Sequence, residues 1–395
     1  VLESAPGRGS VVLRLPGRND AEPLMLLSHL DVVAADAGRW KFPPFSGALA
    51  DGCVWGRGTL DTKNLTAMEL MAVLLVHRLK VPLARSLIFA ATADEEAGGR
   101  AGIAWLLDHH PELVTAPYVI NEGAGYDVRI AGKKFYTCQM GEKGGCRVVM
   151  RTRGRPGHVA FPQRGTAIAR LVEALGRLEQ ADPPMHVSAS VRALVDHVAS
   201  RVDAAATGLM HDLLDPRRSR AAVEALPADE TVRSELYAML RNTTNVTVVH
   251  AGEAVRAIPT EASAWIDGRL VPGATPESFV AELREVVGDG VDLQVEHFNP
   301  GTEFSARTPL YQAICDVVAE HDPEASAVPW LVVGGTDARH LVRKMKTTVY
   351  GFKPMQQDPQ APRNILIHGD DERTSVEGFL FGTRVIFDLV MRFCT

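Results

Sequence analysis

Histidine and carboxylate residues recur in this sequence just after short apolar segments. His29 and Asp31 follow the run PLMLLS as His-x-Asp. In extended backbone residues two apart point the same way. Asp31 can therefore lie beside His29 and accept its second ring N–H, the partnership a metal-bound histidine usually has. Asp61 comes directly after GRGTL, Glu95 and Glu96 after the strand-like SLIFAAT, Glu122 after PYVIN and His368 after NILI. Each group has a plainer reading when taken singly: a capped loop histidine, a helix N-cap at Asp61, a turn residue at Glu122, a solvated acidic turn at Glu95 and Glu96. Together they point to one place, because open α/β sheets bind ligands outside the carboxyl ends of their strands. Two histidines with several carboxylates form an N/O ligand set suited to zinc and also to manganese or cobalt. No HExxH, Walker loop, GxSxG elbow or helix-opening GxGxxG offers a competing chemistry.

The elements that must position these groups alternate in type. Val11 to Leu15, Pro23 to Ser28 and Arg85 to Thr92 read as strands, the last nearly continuously apolar as a strand buried on both faces would be. Asp61 to Lys80 reads as an amphipathic helix through Leu65, Met68, Ala72, Val76 and Leu79. Alternation of this kind predicts an α/β sheet with a substantial parallel component. The texture changes near Gly145. Strand-like CRVVMRTRG is followed by a helix over Thr166 to Glu179, a long helical stretch from Ser188 to Leu240, strand-like VTVVHAG and ASAWIDGRLVPG, a helix over Pro276 to Val287 and strand-like DLQVEHF. This block, ending near Pro300, is expected to be a separate α+β domain inserted into the first. The organisation expected is a catalytic domain over 1–144 and 301–395 with an inserted domain over 145–300. The second catalytic part holds a helix from Pro309 to Glu320, VPWLVVGG, KTTVYGF and a final helix from Glu377 to Phe393.

Composition narrows the class. At 395 residues the chain is long enough for two domains. With 46% hydrophobic and 23% charged residues it reads as globular and soluble. No apolar run approaches the ~18 to 20 residues of a membrane helix, and a net charge of -6 offers no broad footprint for nucleic acid. Five scattered cysteines without a CxxC pair disfavour a disulfide framework and a thiolate metal site. No signal peptide is visible at Val1-Leu2-Glu3, so a cytoplasmic location is the expectation, with anything upstream of Val1 left open.

The motifs carry a resemblance. LLSHLDVVAADAGRWKFPPFSGALADGCVWGRGTLDTK, ADEEAGG (93–99), NEGAG (121–125), RPGHVAFP (155–162), IPTEASAWIDGRLVPG (258–273) and GGTDARH (334–340) resemble the M20 family of metallopeptidases and amidohydrolases. The resemblance runs over nearly the whole chain, and GGTDAR leans toward the family's carboxypeptidase S and aminoacylase branch. It implies a di-metal exopeptidase-like α/β sandwich carrying an inserted α+β, ferredoxin-like lid and dimerisation domain. It further implies two divalent ions, zinc first with cobalt or manganese as alternatives. Asp61 would bridge the ions, His29 and Glu122 would complete one site, and Glu96 and His368 the other. Glu95 would be the general acid/base, Asp31 the partner orienting His29, and the Asp61–Thr62 peptide cis.

By the same resemblance His158, in the lid motif, would reach toward the scissile carbonyl, from the partner subunit in dimeric members. A homodimer through the lid is the corresponding expectation. Thr336, Arg339, Arg269 and Arg256 would bind substrate, the two arginines inside family motifs, Arg269 and Arg339, favouring a free carboxylate. The implied reaction is hydrolysis of an amide next to that carboxylate, in an N-acyl amino acid, a dipeptide or a carboxypeptidase substrate, with Glu95 taking the proton of a metal-activated water and returning it to the leaving amine. A di-zinc aminopeptidase and a non-catalytic binding relative are the alternatives. Three positions depart from the pattern: Ala34 for Pro, Thr62 for Asp or Met, and Arg256 for Asn. Arg256 has two readings. It builds, with Arg269 and Arg339, a more cationic pocket for a substrate with an additional acidic group, or it turns into solvent while Asn245 or Asn242 contacts substrate.

Overall fold

The computed structural model describes residues 1–19, 21–356 and 363–395. The apolar runs form the interior of a ten-stranded mixed sheet. Ala21–His29 pairs in parallel with Arg85–Thr92 on one side and with Tyr118–Asn121 on the other, and Thr348–Gly351 adds in parallel to Tyr118–Asn121. Alternate residues of one strand enter opposite cores. Leu24 and Leu26 join the helices Lys63–Arg78, Pro309–His321 and Val376–Cys394, whereas Met25 and Leu27 join Ile103–His109 and Ala338–Lys344. Both faces are covered, which is why these strands read as continuous apolar runs rather than alternating ones. Because the four strands run the same way, the residues after His29, Thr92 and Asn121 all emerge at one end of the sheet.

Ten-residue Lys133–Glu142 was not evident as a strand in the sequence. It pairs with Ala325–Val332, Asp127–Ile130, Thr302–Glu303 and Thr348–Gly351. After Lys143 the chain leaves this sheet and continues as Gly144–Arg153 in a second, four-stranded antiparallel sheet with Glu261–Leu270, Thr243–Ala251 and Asp292–Asn299. In chain order these strands stand 4-1-3-2 across the sheet. Helices Ala167–Gln180 and Pro276–Val287 bury Leu171, Ala174, Phe279 and Leu283 against one face. This is the βαββαβ ferredoxin-like arrangement.

The helical stretch after Ser188 has a different partner. It divides into Ala189–Ala199, Ala204–Asp212, Ser219–Ala225 and Glu230–Met239, three of them started by Ser188, Asp203 and Asp229 as side-chain N-caps. Val191, Leu194, Val198, Met210 and Leu236 pack against Val128, Ile130, Phe135, Val328 and Trp330 of the ten-stranded sheet. The stretch expected to form one inserted block thus uses two packing partners, and its helical middle covers the large sheet.

A small three-stranded sheet, Ala48–Ala50, Cys53–Trp55 and Arg373–Ser375, joins the loop that carries Asp61 to the loop that carries His368. The segment NILI, expected as a strand end, contributes instead to a short helix, Arg363–Leu366, before His368. Among the described residues no helix is long and apolar enough to cross a membrane, and Cys138, Cys146, Cys315 and Cys394 are unbridged thiols.

Candidate active site

His29 is the last residue of its strand and almost wholly buried. Its Nδ1 lies 2.9 Å from the main-chain oxygen of Asp31, which accepts the ring N–H, while the Asp31 carboxylate stands 3.6 Å away. That carboxylate accepts instead from the backbone N–H groups of Glu95 and Glu96, at 3.1 Å each. One residue therefore fixes the imidazole through its backbone and the double-glutamate turn through its side chain. The turn itself, Glu95–Ala97, follows Asp94 in the left-handed region and is closed by Gly98, also at positive φ.

The free Nε2 of His29 faces Asp61 Oδ1 at 3.2 Å and Glu122 Oε1 at 3.5 Å. The other Asp61 oxygen, Oδ2, lies 3.1 Å from His368 Nε2, which in turn is 3.0 Å from Glu96 Oε1. The two oxygens of one carboxylate thus address two imidazoles, each with its own glutamate. Ligand atoms of His29, Asp61 and Glu96 lie within 4.8 Å of one another, as do those of His29, Glu95 and Glu122. The Asp61–Thr62 peptide is cis, and Lys353 Nζ donates to the Leu60 carbonyl and the Thr62 hydroxyl on either side of Asp61.

The electrostatics of this group follow from crowding anions in a buried place. Burial works against a charged His29, yet the carboxylates of Glu122 and Asp61 hold its pKa up to about 12. His368 rises to about 9 through its bond to Asp61, against a smaller effect of burial, with Glu96 adding to the rise. Burial would raise Asp61, but the bonds from His29 and His368 keep it below the usual carboxylate range. Burial together with the charges of Glu122 and Asp337 pushes Glu95 up to about 9, and burial with Asp61 raises Glu96. Four carboxylates converge on two imidazoles, and cations placed between them would relieve their mutual repulsion. Imidazole nitrogen with carboxylate oxygen is the donor chemistry that holds zinc and its neighbours, so the residues fit two divalent ions.

The cavity in front of these groups, about 310 Å³, is lined by the polar Asp61, Glu95, Glu96, Glu122, Thr336 and His368 together with Lys353, Gln356, Arg373, Thr374 and Ser375. Leu60, Tyr126, Val332, Met355 and Ile367 supply its apolar lining. Arg339 reaches the site, its Nη2 lying 3.8 Å from Glu95 Oε1. Thr336 is held from behind, its N–H and Oγ1 both donating to Glu142 Oε2 at 2.9 and 2.8 Å. Nine sequence-identified residues are therefore gathered here: His29, Asp31, Asp61, Glu95, Glu96, Glu122, Thr336, Arg339 and His368.

Three others lie on the four-stranded sheet side and do not line the cavity. His158 is exposed, its Nδ1 accepting the N–H of Ala160 at 3.2 Å. Arg269 pairs with Asp267 of its own strand at 2.6 Å. Arg256 is exposed at a hairpin tip. Of the two asparagines that would replace it, Asn242 is buried and engaged by Glu282 and the Val271 N–H, and Asn245 is exposed on a sheet-edge strand.

Sequence reasoning missed several buried charged residues behind the site. Glu142 carries Thr336. Asp337 lies against Thr92, at 3.4 Å from its hydroxyl. Glu69 accepts from Ser28 at 2.7 Å, and burial drives its carboxyl well above the usual range. Glu372 is wholly buried beside the Asp61 loop. Asp337 stands inside GGTDARH and could have been found there. The others follow no strand end and carried no signal.

The chain is 30% identical over 383 residues to the N-fatty-acyl-amino acid synthase/hydrolase PM20D1 of Bos taurus, covering 93% of this chain and 74% of that one. It is 26% identical over 385 residues to the probable carboxypeptidase S-like 2 of Dictyostelium discoideum, covering 94% and 72%. The fold matches that of the M20 family metallo-carboxypeptidase Sso-CP2 from Sulfolobus solfataricus with a TM-score of 0.66 at 18% identity, over 96% of this chain and 87% of that one. The model of peptidase family M20/M25/M40 matches residues 25–392, and the chain is a hydrolase belonging to that family.

Proposed function

We propose that this hydrolase cleaves the amide bond of N-acyl amino acids, next to their free carboxylate, using two divalent ions, zinc in the first instance. The observation that carries the reading is Asp61, whose two oxygens face two separate imidazole–glutamate pairs. His29, Glu122 and Asp61 would hold one ion and His368, Glu96 and Asp61 the other. Such ions supply Lewis-acid activation of water and of the amide carbonyl.

The chain's own residues do the rest. Glu95, held by its backbone N–H on Asp31 and ionised once bound cations would offset the anions that raise it, takes a proton from the attacking water at its carboxylate and delivers it to the leaving nitrogen. Arg339 draws in the substrate carboxylate, a charge-assisted contact, and this favours carboxylate recognition over capture of a free amino terminus. The apolar side chains of Leu60, Tyr126, Val332, Met355 and Ile367 in the lining receive the acyl chain. That apolar lining, together with a relative named for fatty-acyl amino acids, supports long-chain acyl groups over acetyl or succinyl. His158, exposed on the four-stranded sheet side, would act from a second copy of the chain.

The test is hydrolysis of N-acetyl, N-succinyl and long-chain N-acyl amino acids, of dipeptides and of carboxyl-amidated dipeptides by zinc-reconstituted enzyme. Long-chain N-acyl amino acids should give the highest kcat/KM. Cleavage confined to peptides with a free amino terminus and a blocked carboxyl terminus would contradict the proposal.

A further inference from the structure

We infer that Glu372 and Arg57 form a positioning pair that holds the Asp61 loop and the His368 loop in one geometry. The inference rests on reading Asp61 and His368 as metal ligands. Strand Arg373–Ser375 runs antiparallel to Cys53–Trp55, with Arg373 opposite Trp55. Residues following Trp55 must therefore lie beside residues preceding Arg373. That register brings GRGTLD alongside HGDDE, segments more than 300 positions apart in sequence, and the Gly56 N–H donates to the Glu372 carbonyl at 2.8 Å.

The Glu372 side chain, wholly buried, directs every bond it makes among the described residues at this one loop. Oε1 accepts the N–H groups of Leu60 and Asp61 at 2.7 and 3.0 Å. Oε2 accepts the Gly58 N–H at 3.0 Å and Arg57 Nη1 at 2.7 Å. The second Arg57 nitrogen, Nη2, donates to the main-chain oxygen of His368 at 3.2 Å, and the guanidinium sits over the Trp40 ring. One carboxylate thus fixes the backbone N–H of the shared ligand, and its counter-ion fixes the backbone of the histidine on the far side. Neither side chain touches the cavity, so both act through Asp61 and His368. A fork with two fixed N–H directions is needed to reach both partners, which a lysine ammonium does not provide.

A buried ion pair can also serve the fold alone, and the test separates the two roles. Wild type, Glu372→Gln and Arg57→Lys are each stripped of metal, titrated with Zn2+ against a chromophoric chelator, and melted with and without metal. Wild type should bind two ions. In both variants the more weakly held ion should lose affinity by about 10- to 100-fold. The melting temperature should fall more in the loaded protein than in the metal-free one, and kcat should fall with little change in KM. The inference is overturned if both variants bind two ions as tightly as wild type, or if the metal-free protein loses as much stability as the loaded one, which marks a strut of the fold. A variant that does not fold even without metal counts as that second result. If wild type itself takes up fewer than two ions, the metal-ligand reading fails and this inference falls with it.

Discussion

Asp31 shows how a single residue serves two neighbours. Its carboxylate accepts the N–H groups of Glu95 and Glu96, and in Asp31→Asn one of those donors would meet an amide NH2. A buried donor left facing a donor costs about 1 to 3 kcal/mol. The substitution is therefore expected to lower kcat/KM by about 5- to 160-fold, read by steady-state kinetics, while the His29 contact, made through the Asp31 main chain, persists. Spacing in the sequence established that Asp31 lies beside His29. It did not establish which atoms meet, because the two-residue repeat of extended backbone fixes a side and not a partner. Arg256 is the opposite case. Its identity is unusual for the family pattern, yet it is exposed and lines no part of the cavity, as expected for a long stem that carries its charge into water. Arg256→Asn should change kcat/KM equally for monoacidic and diacidic N-acyl substrates, and a KM effect confined to diacidic ones would restore the cationic-pocket reading.

At the scale of elements, strands buried on both faces and helices with a regular apolar stripe were legible, and Arg85–Thr92 falls where its apolar run predicts. Lys133–Glu142 was not, because its buried positions include Thr137, Gln139 and Glu142. Thr137 donates to the Tyr126 carbonyl and Gln139 Nε2 to Glu142, while Gln139 Oε1 has no hydrogen-bond partner among the described residues. Glu142 carries a measurable consequence. Burial lifts its pKa to about 7, against the Thr336 hydrogen bonds, so the folded state holds this proton more tightly than the unfolded chain does. Its contribution to stability is full below the ordinary 4.5 and is lost as pH rises to about 7. Glu142→Gln keeps an oxygen for Thr336 and removes the titration. Its stability relative to wild type should rise across this window by up to about 3 kcal/mol, read by urea unfolding at pH 5 and 8. The glutamate turn makes a steric demand as well. A Cβ on Gly102 would stand 1.8 Å from the Ala93 carbonyl oxygen, and both residues flank Glu95 and Glu96. Gly102→Ala should destabilise the protein by about 1 to 3 kcal/mol and lower activity with it, both measurable on one preparation.

Across the whole molecule, the composition change near Gly145 was visible, but not which core each piece would join. Helical periodicity reports an apolar stripe and is silent about the surface that covers it, so the helices between Ser188 and Leu240 were assigned with their sequence neighbours. The connection between the two sheets is tightly held. Lys143, buried at the crossing, donates through Nζ to the carbonyls of Ala238 and Arg241 and to the Thr243 hydroxyl. His158 lies on the four-stranded side, and strand Thr243–Ala251 leaves Val246, Val248 and Val249 exposed at that sheet's edge, an edge open to pairing with another chain. If a second copy supplies His158, mixing inactive His158→Ala and Glu95→Ala proteins should restore about a quarter of wild-type activity. Random pairing makes half the dimers mixed, with one complete site in each. A strictly monomeric, fully active enzyme in sedimentation would reject the shared site.

The central claim is that Glu95 moves protons while five other residues hold two metal ions, and metal content measured beside kinetics in Glu95→Gln and Asp61→Ala tests it most directly. Glu95→Gln should retain two ions and an unchanged melting temperature while losing most turnover, and Asp61→Ala should lose metal. A Glu95→Gln enzyme that sheds metal, or that turns over at the wild-type rate, would contradict the account.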